Sequence, residues 1–571
     1  MIMTSSKVHP PRSRTILHQT IFSVFVLALI AGCRSRSAVY TPDSSLLLPS
    51  PSTASQPTSA PATPSLQPPS LTPPYQTWID PDLPEALQAL IAELDGISST
   101  DQRDSAQVLI STDSGDPLGN WLFIAGWKSG PAETIPFRQI LLTETTQNAL
   151  AHLFGPGDQD CLAIENESEL AHSLWLHPNA IALEPFESVQ PALTILKIDN
   201  QDLLSDNFDP NRYPLKLNLT FQAPDEIKLE LSAQGPLTNF TSEKLSSIAM
   251  TGVTAMVRDT AVIMEEEGLT YPAGDVQGIL NGADITHINN EVPFAKDCPP
   301  PTSSQNSLRF CSDDRYLKLL EAVGTDVVEL SGDHFGDWGP DAMLHTLDLY
   351  QQENWIVYGG GRNLQSGLDP VFIDHHGNHF AFIGCNAKSF DRYATASETN
   401  PGASRCDFDW MSAKIQQLSS EGYLVIATMQ HEEVDSYNPI ALQLHDFRLL
   451  AEAGAVIVSG SQAHHPQAFE YTGSSFIHYG LGNLFFDQWY LATRVPEIHA
   501  NKDKSFIDLH YFYDNKYIGT RLIPLQFIDN ARPRPMTPDE KNKFLDQVYR
   551  YSLWEGDWVY LFPAEYFPED N

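Results

Sequence analysis

Apolar and polar positions follow two different spacings between about residues 242 and 530, and the two spacings alternate along the chain. Continuous apolar runs rich in Val, Ile and Ala are typical of buried strands, whereas apolar residues that recur every three or four positions are typical of amphipathic helices. This alternation predicts an α/β domain with parallel strands. The predicted strands are SIAMTGVTAMV, ADITHI, DVVELSG, WIVYGGG, YLVIATMQH and AVIVSGSQ, and the predicted helices are RYLKLLEAV, DAMLHTLDLYQQ, MSAKIQQLSS and ALQLHDFRLLAEAG.

Two further segments of this region show the pattern of antiparallel strands. PVFIDHHGNHFAFIG predicts a hairpin with its turn near His376, and SFIDLHYFYDNKYIGTRLIPLQFID predicts a strand pair around Asp514 and Asn515. The remaining segment, 531–571, predicts a final helix near 538–552 and an aromatic tail.

Residues 76–238 predict a smaller α/β accessory domain. PEALQALIAEL has helical spacing, and AQVLIST and NWLFIAGW are typical of strands. A short YPL element at 213–215 resembles the hinge region of periplasmic solute-binding proteins, so a solute-binding-like domain is the alternative to a plain accessory domain. The preceding segment, 34–75, consists mostly of Pro, Ser, Thr and Ala and predicts an extended linker.

The first 33 residues show the pattern of a lipoprotein signal peptide. Lys7, Arg12 and Arg14 precede the apolar stretch IFSVFVLALIAG, which is too short to span a bilayer comfortably. The stretch ends in IAGC, which resembles a bacterial lipobox and predicts lipidation of Cys33. The protein is then expected to be extracytoplasmic and anchored to the cell membrane by lipid. The alternative is an ordinary signal peptide with an incidental cysteine.

The net charge limits the classes of possible partner, and the expected location indicates a role for the remaining cysteines. Lys and Arg number 34 and Asp and Glu number 72, which gives a net charge of −38 and argues against nucleic acid as a partner. An anionic ligand would therefore need a local cationic or metal centre. An extracytoplasmic location allows disulfides. Cys298 and Cys311 flank a Pro/Ser-rich loop and Cys385 and Cys406 flank a second excursion, so these four are expected to be structural, with Cys161 left over.

Polar side chains follow four or five of the predicted strands. Because ligand sites of α/β sheets gather beyond the carboxyl ends of strands, these side chains are candidate site residues. Carboxylate, amide and imidazole groups suit Mn, Mg or Zn ions. For Asp337 the alternative is capping of the following helix, and for His334 it is a buried histidine bonded to a carboxylate. The candidates are Asn289, Glu291, Asp333, His334, Asp337, His431, His464, His465 and Asp487.

Five of these stretches together resemble the CapA family of poly-γ-glutamate capsule proteins, a distant branch of the calcineurin-like metallophosphoesterases. In order they are INNEVPF, LSGDHFGDWG, YGGGRNL, GSQAHHPQ and IHYGLGNLFFD, and they cover about residues 245–490. The resemblance implies a metallophosphoesterase-like four-layer αββα sandwich. It also implies metal ligands at Asn289, Glu291, Asp333 (in place of the family's Asn), His334, Asp337 and His464, and catalytic roles for His431, His334 and Arg258.

Two positions depart from the family pattern. Val253 stands where the family has the aspartate of its first metal motif, although Arg258 is retained, and Gln462 replaces the first histidine of the last motif. Valine cannot coordinate a metal, and an amide is a weaker ligand than imidazole. The site is therefore expected to hold a single ion, to use rearranged chemistry, or to survive as a binding module without an ion.

Two functions follow from these observations. The first is a metal-dependent hydrolase or transferase that acts on an extracytoplasmic anionic polymer such as poly-γ-glutamate, with Arg258 or Arg362 as a charge clamp. The second is a non-catalytic lipoprotein that binds or scaffolds a capsule polymer or an export complex.

Overall fold

The computed structural model describes residues 75–554, with gaps at 95–96, 128–138, 155–161, 167–168, 178–179, 206, 233–234, 306, 389–393, 462 and 495. Cys33, Cys161, Gln462, the signal peptide, the linker and the aromatic tail lie outside the described residues. Within the described ranges, no helix combines the length and the apolar character that a membrane crossing requires.

The strands and helices of the described residues are numbered here in chain order. The strands are β1 Tyr75–Ile79, β2 Ile97–Ser99, β3 Val108–Ser111, β4 Asp116–Trp127, β5 Gln139–Leu142, β6 Leu162–Ile164, β7 Ala180–Pro185, β8 Thr194–Ile195, β9 Lys216–Gln222, β10 Leu237–Thr238, β11 Leu245–Thr254, β12 Ile285–Asn290, β13 Val327–Glu329, β14 Ile356–Tyr358, β15 Gly360–Gly361, β16 Val371–His375, β17 Asn378–Asn386, β18 Gly402–Ala403, β19 Leu424–Gln430, β20 Ala455–Ser461, β21 Phe469–Thr472, β22 Ser475–His478, β23 Asn483–Phe485, β24 Lys504–Tyr513, β25 Lys516–Phe527, β26 Pro533–Pro535 and β27 Leu553–Trp554. The helices are α1 Glu85–Ala92, α2 Glu144–Ala149, α3 Leu170–Leu176, α4 Asp225–Ser232, α5 Arg258–Glu267, α6 Gln277–Leu280, α7 Leu317–Ala322, α8 Pro340–Gln352, α9 Leu364–Leu368, α10 Phe408–Ser420, α11 Ala441–Glu452, α12 Trp489–Arg494, α13 Pro496–His499 and α14 Pro538–Tyr549.

Two sheets form the centre of the region from β11 onward. The first has the order β14-β13-β12-β11-β24-β25-β26, with β23 also paired to β11, and the second has the order β16-β17-β19-β20-β22-β21-β27. The strands β11 to β14 are parallel, as are β17, β19, β20 and β22. The parallel strands are the ones that the continuous apolar runs predict, because parallel strands are covered on both faces.

Three apolar cores show that these sheets form four layers. One core lies between the sheets and joins β11 residues such as Ile248 to β19 residues such as Ile426. A second packs helices α5 to α8 against the outer face of the first sheet, and a third packs α10 and α11 against the outer face of the second. Alternate residues of a strand point to opposite faces, so Ile426 and Val425 enter different cores. The predicted αββα sandwich is confirmed.

Antiparallel pairs occur where the sequence predicts them. β16 and β17 form a hairpin whose turn contains His376 and Gly377, both with positive φ. β24 and β25 are joined at Asp514 and Asn515, whose φ values of 51° and 59° are those of a tight turn. The final helix, α14, begins at Pro538 behind a capping box formed by Thr537 and Glu540.

Residues 75–238 form a separate ten-stranded sheet with the order β2-β1-β3-β9-β4-β7-β5-β6, in which β8 and β10 also pair with β4. Its core is continuous with Leu245, Tyr511 and Ile518 of the neighbouring sheet, and Arg521 donates to the Asp202 carboxylate at 2.7 and 2.8 Å across the same boundary. The domain boundaries drawn from the sequence stay a prediction, as does a solute-binding role for this segment.

Two disulfides constrain loops of the sandwich. Cys298 is bonded to Cys311 and Cys385 to Cys406, with Cα–Cα distances of 5.8 and 5.0 Å. These are the two flanking pairs that the sequence indicates. The first closes the loop that leads from β12 to α7, and the second fixes the carboxyl end of β17 to the segment before α10.

Candidate metal centre

Three potential metal ligands meet where the parallel strands of the two sheets end. Glu291 directly follows β12, and Asp333 and His334 follow β13. Each offers one ligand atom, and the three atoms lie within 4.8 Å of one another. Gln430, the last residue of β19 in the facing sheet, donates to Glu291 Oε1 at 3.2 Å and to Asp333 Oδ1 at 2.8 Å. The centre therefore draws on both sheets.

A glycine allows the two acidic residues to approach each other. Gly332 precedes Asp333, and a Cβ at this position would lie 2.7 Å from the carbonyl oxygen of Glu291 and 2.9 Å from its Cα. Because real side chains do not tolerate such contacts, only glycine lets the loop after β13 pack directly on the residue after β12. The close approach brings Asp333 and His334 to Glu291.

Asp337 orients His334 and does not cap a helix. Its Oδ2 lies 2.7 Å from His334 Nδ1 and accepts a hydrogen bond from the Phe310 backbone at 2.8 Å. Helix α8 begins at Pro340 with Gly339 as its N-cap, without a side-chain cap. The expectation that Asp337 caps the helix is wrong, because its carboxylate contacts His334 and the Phe310 backbone instead, whereas its role as a metal ligand stays a prediction. A carboxylate that holds Nδ1 leaves Nε2 of His334 as the ligand atom.

The charges of the centre are strongly coupled. Burial raises the pKa of Glu291 to about 8. Burial alone would raise the pKa of Asp333 too, but His334 and the Lys388 ammonium, 2.7 Å from its Oδ2, hold that pKa below its usual value. For His334, burial is outweighed by the Asp337 hydrogen bond and the nearby carboxylates, which raise its pKa to about 9. The ion-free centre thus favours protonation of Glu291 and of His334 more than water does.

The role of Asp337 gives a first prediction. In ion-free protein, Asp337→Asn should lower the pKa of His334 by about 1 unit or more, because the hydrogen bond to a charged partner is lost while burial remains. An NMR titration of the imidazole checks this, with His345 as an internal reference for the same spectrum. An unchanged His334 titration would contradict the assignment.

A row of side chains crosses the first sheet beside this centre. Backbone register places Asn483, Val253, Asn289 and Glu329 opposite one another on neighbouring strands, so the four share one face of the sheet. The face is the one toward the second sheet, because Glu329 accepts from Ser461 of β20 at 3.3 Å. Val253 is fully buried between the two asparagines. The structure therefore has an apolar side chain at the position where the family pattern predicts a carboxylate ligand.

Asn289 belongs to this row and His464 contacts the row through Asn483, so these two expected ligands lie outside the three-residue cluster. His464 Nδ1 lies 2.8 Å from Asn483 Oδ1, and burial lowers the pKa of His464 to about 4. Asn289 is fully buried next to Glu329, whose pKa burial raises. Within the described residues, Glu291, Asp333 and His334 are the one group of three His, Cys, Asp or Glu residues with cation-binding spacing.

His431 is buried against helix α11. Its side chain is 1% exposed, its Nε2 lies 2.9 Å from Asp446 Oδ2 on α11, and Phe447 packs on its ring. The structure thus gives His431 a buried carboxylate partner that the sequence did not indicate. The catalytic role of His431 stays a prediction.

The two arginines expected as charge clamps are also engaged elsewhere. Arg258 forms a two-pronged ion pair with Asp487, with Nε–Oδ distances of 3.0 and 3.1 Å, and lies over the rings of Phe310 and Phe486. Arg362 lies on the surface and pairs with Asp348. Neither guanidinium is in the three-residue cluster, and the catalytic role of Arg258 stays a prediction beside the structural role that its ion pair shows.

Two residues of the centre, Gln430 and Lys388, are not identified from the sequence. Gln430 is the last residue of β19, one position before the His431 at which the search for strand-end groups begins. Lys388 lies two residues beyond β17, a strand assigned to a hairpin and therefore not searched at its carboxyl end. Extending the strand-end rule to every strand would have found both.

The donor set fits a divalent cation. Two carboxylates and an imidazole are the donors that Mn²⁺, Mg²⁺ and Zn²⁺ accept, and Gln430 orients both carboxylates from the second sheet. A four-layer αββα sandwich with such a cluster at its strand ends defines a metallophosphoesterase-type domain.

Comparisons with known proteins show similarity to one family. Residues 247–488 match the family model described as bacterial capsule synthesis protein PGA_cap. The chain is 25% identical over 323 residues to the capsule biosynthesis protein CapA of Bacillus anthracis, covering 55% of this chain and 75% of that protein. It is 22% identical over 312 residues to the PGA biosynthesis protein CapA of Bacillus subtilis (strain 168), covering 54% and 78%. Residues 247–488 are therefore similar to the CapA family, which confirms the resemblance noted in the sequence.

Solved structures show only a distant likeness. The NAD nucleotidase NadN of Haemophilus influenzae aligns at 9% identity with a TM-score of 0.29, covering 55% of this chain and 57% of that one. A TM-score this low does not establish a shared fold. The assignment of four layers is therefore based on the sheets and cores described above.

Proposed function

We propose that this protein is a membrane-anchored, extracytoplasmic CapA-family protein of capsule polymer biosynthesis or processing. It acts on an anionic polymer such as poly-γ-glutamate and uses a divalent cation held by Glu291, Asp333 and His334. The observation that carries the proposal is the convergence of these three ligand atoms within 4.8 Å at the strand ends. The names of the two Bacillus relatives support capsule biosynthesis as the setting.

The chemistry proposed is hydrolysis or transfer at an amide or phosphoester. A bound divalent cation supplies Lewis acidity toward a substrate oxygen and toward water. Asp337 fixes the His334 ring so that Nε2 faces the centre. Gln430 holds the Glu291 and Asp333 oxygens in place from the facing sheet. Glu291, whose pKa burial raises, is the group able to hold a proton close to the reacting atoms.

The anchor and location rest on the sequence pattern around Cys33. A lipidated cysteine followed by a linker of about 40 residues, 34–75, would let the folded region reach polymer away from the membrane surface. Incorporation of labelled fatty acid into wild-type protein but not into Cys33→Ser tests this part. Equal labelling of the two proteins would contradict lipidation at Cys33.

A second candidate is a non-catalytic lipoprotein that binds or scaffolds the polymer or an export complex. It is favoured by Val253 in the polar row and by the internal partners of His431 and Arg258, which leave the centre without the acid/base group expected for it. This candidate predicts polymer binding that does not depend on a divalent cation.

One experiment separates the two candidates. The full chain in detergent is stripped of ions, and binding and cleavage of poly-γ-glutamate are measured with and without Mn²⁺, for wild type and Asp333→Asn. We expect Mn²⁺ binding to fall by about 100-fold or more in the variant, together with Mn²⁺-dependent turnover, since a ligand carboxylate is lost. Asp374→Asn, an exposed carboxylate change on β16, is the matched control. Polymer binding that persists with chelator, without turnover in any ion, would support the second candidate.

A further inference from the structure

Lys388 holds a central position among the acidic groups of the metal centre. Its Nζ lies 2.7 Å from Asp333 Oδ2, and its charge also acts on Glu291 and on Glu433. The side chain is 23% exposed, so most of it is shielded from water. A fixed positive charge thus belongs to the same group of side chains as the three ligand atoms.

We propose that Lys388 supplies the second positive charge of this centre in place of a second metal ion, so that the centre takes a single divalent cation. The inference rests on the proposed function in that it takes the centre to bind a divalent cation. It goes beyond that function by fixing the number of ions and by assigning a role to Lys388.

In the part of the chain that the structure describes, the row beside the centre has an apolar residue and no carboxylate between its two asparagines. Ions about 4 Å apart need a negative ligand between them to offset their repulsion. Backbone register puts Val253 between Asn289 and Asn483 in the row beside the centre, so an apolar group stands where such a carboxylate could reach both positions. The amide of Asn483 is engaged with His464 Nδ1 at 2.8 Å.

Charge balance points to the same number. Glu291, Asp333 and Asp337 bring three negative charges when ionised, and Lys388 offsets one of them. One divalent cation then makes the centre neutral. A second divalent ion beside the ammonium would leave two net positive charges in a largely buried space, which is unfavourable.

Ion counting tests the inference without reference to activity. Ion-free full chain in detergent is titrated with Mn²⁺, and free Mn²⁺ is measured by electron paramagnetic resonance. Wild type should bind one Mn²⁺ per chain. Lys388→Gln should bind Mn²⁺ about tenfold more tightly or better, because the competing ammonium beside Asp333 is removed. Lys388→Arg, which keeps the charge, should retain wild-type affinity.

Two further variants complete the design. Lys414→Gln removes an exposed charge from α10 and should leave the Mn²⁺ affinity unchanged. Val253→Asp combined with Lys388→Gln restores a carboxylate and removes the ammonium, and should bind a second Mn²⁺. Thermal unfolding of each variant verifies that it is folded.

The outcomes distinguish this inference from the proposed function. Two Mn²⁺ ions in wild type, or an affinity that Lys388→Gln does not change, would overturn the role of Lys388 and leave the proposed function standing. Absence of Mn²⁺ binding by wild type and by every variant would contradict both.

Discussion

Arg258→Met should lower the free energy of unfolding by about 3–5 kcal/mol, because it leaves the Asp487 carboxylate buried without its partner. Asp487 is 1% exposed, and burial raises its pKa to about 6 even with the Arg258 guanidinium beside it. Arg258 also has a φ of 45°, a strained conformation for a residue other than glycine, which the ion pair helps to hold. Chemical denaturation at pH 7.5 measures the change.

The surface arginine Arg362 provides the control for this prediction. It is also an arginine paired with an aspartate, but its side chain is 45% exposed and that of Asp348 is 56% exposed. Water already solvates both charges, so Arg362→Met should cost about 1 kcal/mol or less. If the two variants were equally stable, or if Arg258→Met lost turnover without losing stability, Arg258 would have the catalytic role that its family position suggests.

His510→Gln should become less costly to stability as the pH falls, by about 3 kcal/mol between pH 7.5 and 4.0. His510 is fully buried between the two sheets, with Nδ1 2.6 Å from Thr520 Oγ1, and burial lowers its pKa to about 4 despite the nearby Asp508. The unfolded chain takes up a proton near pH 6.5, whereas the folded chain keeps the imidazole neutral. Wild type therefore loses this stability as the pH falls below about 6.5, and the glutamine variant does not.

A core substitution without a titrating group isolates this effect. Phe380→Leu removes packing from the same layer, and its cost should stay constant over the same pH range. Denaturant unfolding of wild type and both variants at several pH values gives the comparison. A constant cost for His510→Gln would show that the folded protein accepts a proton at this position.

Much of the fold could be predicted from the sequence because the patterns that indicate strands and turns are local. The apolar runs that became β11, β12, β13, β19 and β20 are continuous, as strands covered on both faces must be. Turn residues with positive φ marked the ends of the β16–β17 and β24–β25 hairpins. The stretch LSGDHFGDWG likewise contained two members of the three-residue cluster and the glycine that lets them approach Glu291.

The partners of the charged side chains were not open to prediction in the same way. Arg258 and Asp487 are 229 residues apart in the chain, and Gln430 is 97 residues from Asp333. Their contacts exist only once both sheets have packed. His431 is an example. Its place after a strand suggested catalysis, but the sequence did not indicate that its imidazole is buried against Asp446.

The sequence by itself determined the α/β class and the strand ends that carry polar groups, because both depend on residue type and spacing along one strand. The missing carboxylate at Val253 followed from the resemblance to the CapA family. Only the tertiary structure decided which of those groups meet. It joined Glu291, Asp333 and His334, held Asp337 to the histidine, and brought Lys388 from the segment after β17 of the facing sheet against Asp333. The physical reason is that charge pairing and burial depend on distances between strands, which are set by the packing of two sheets and not by neighbours in sequence.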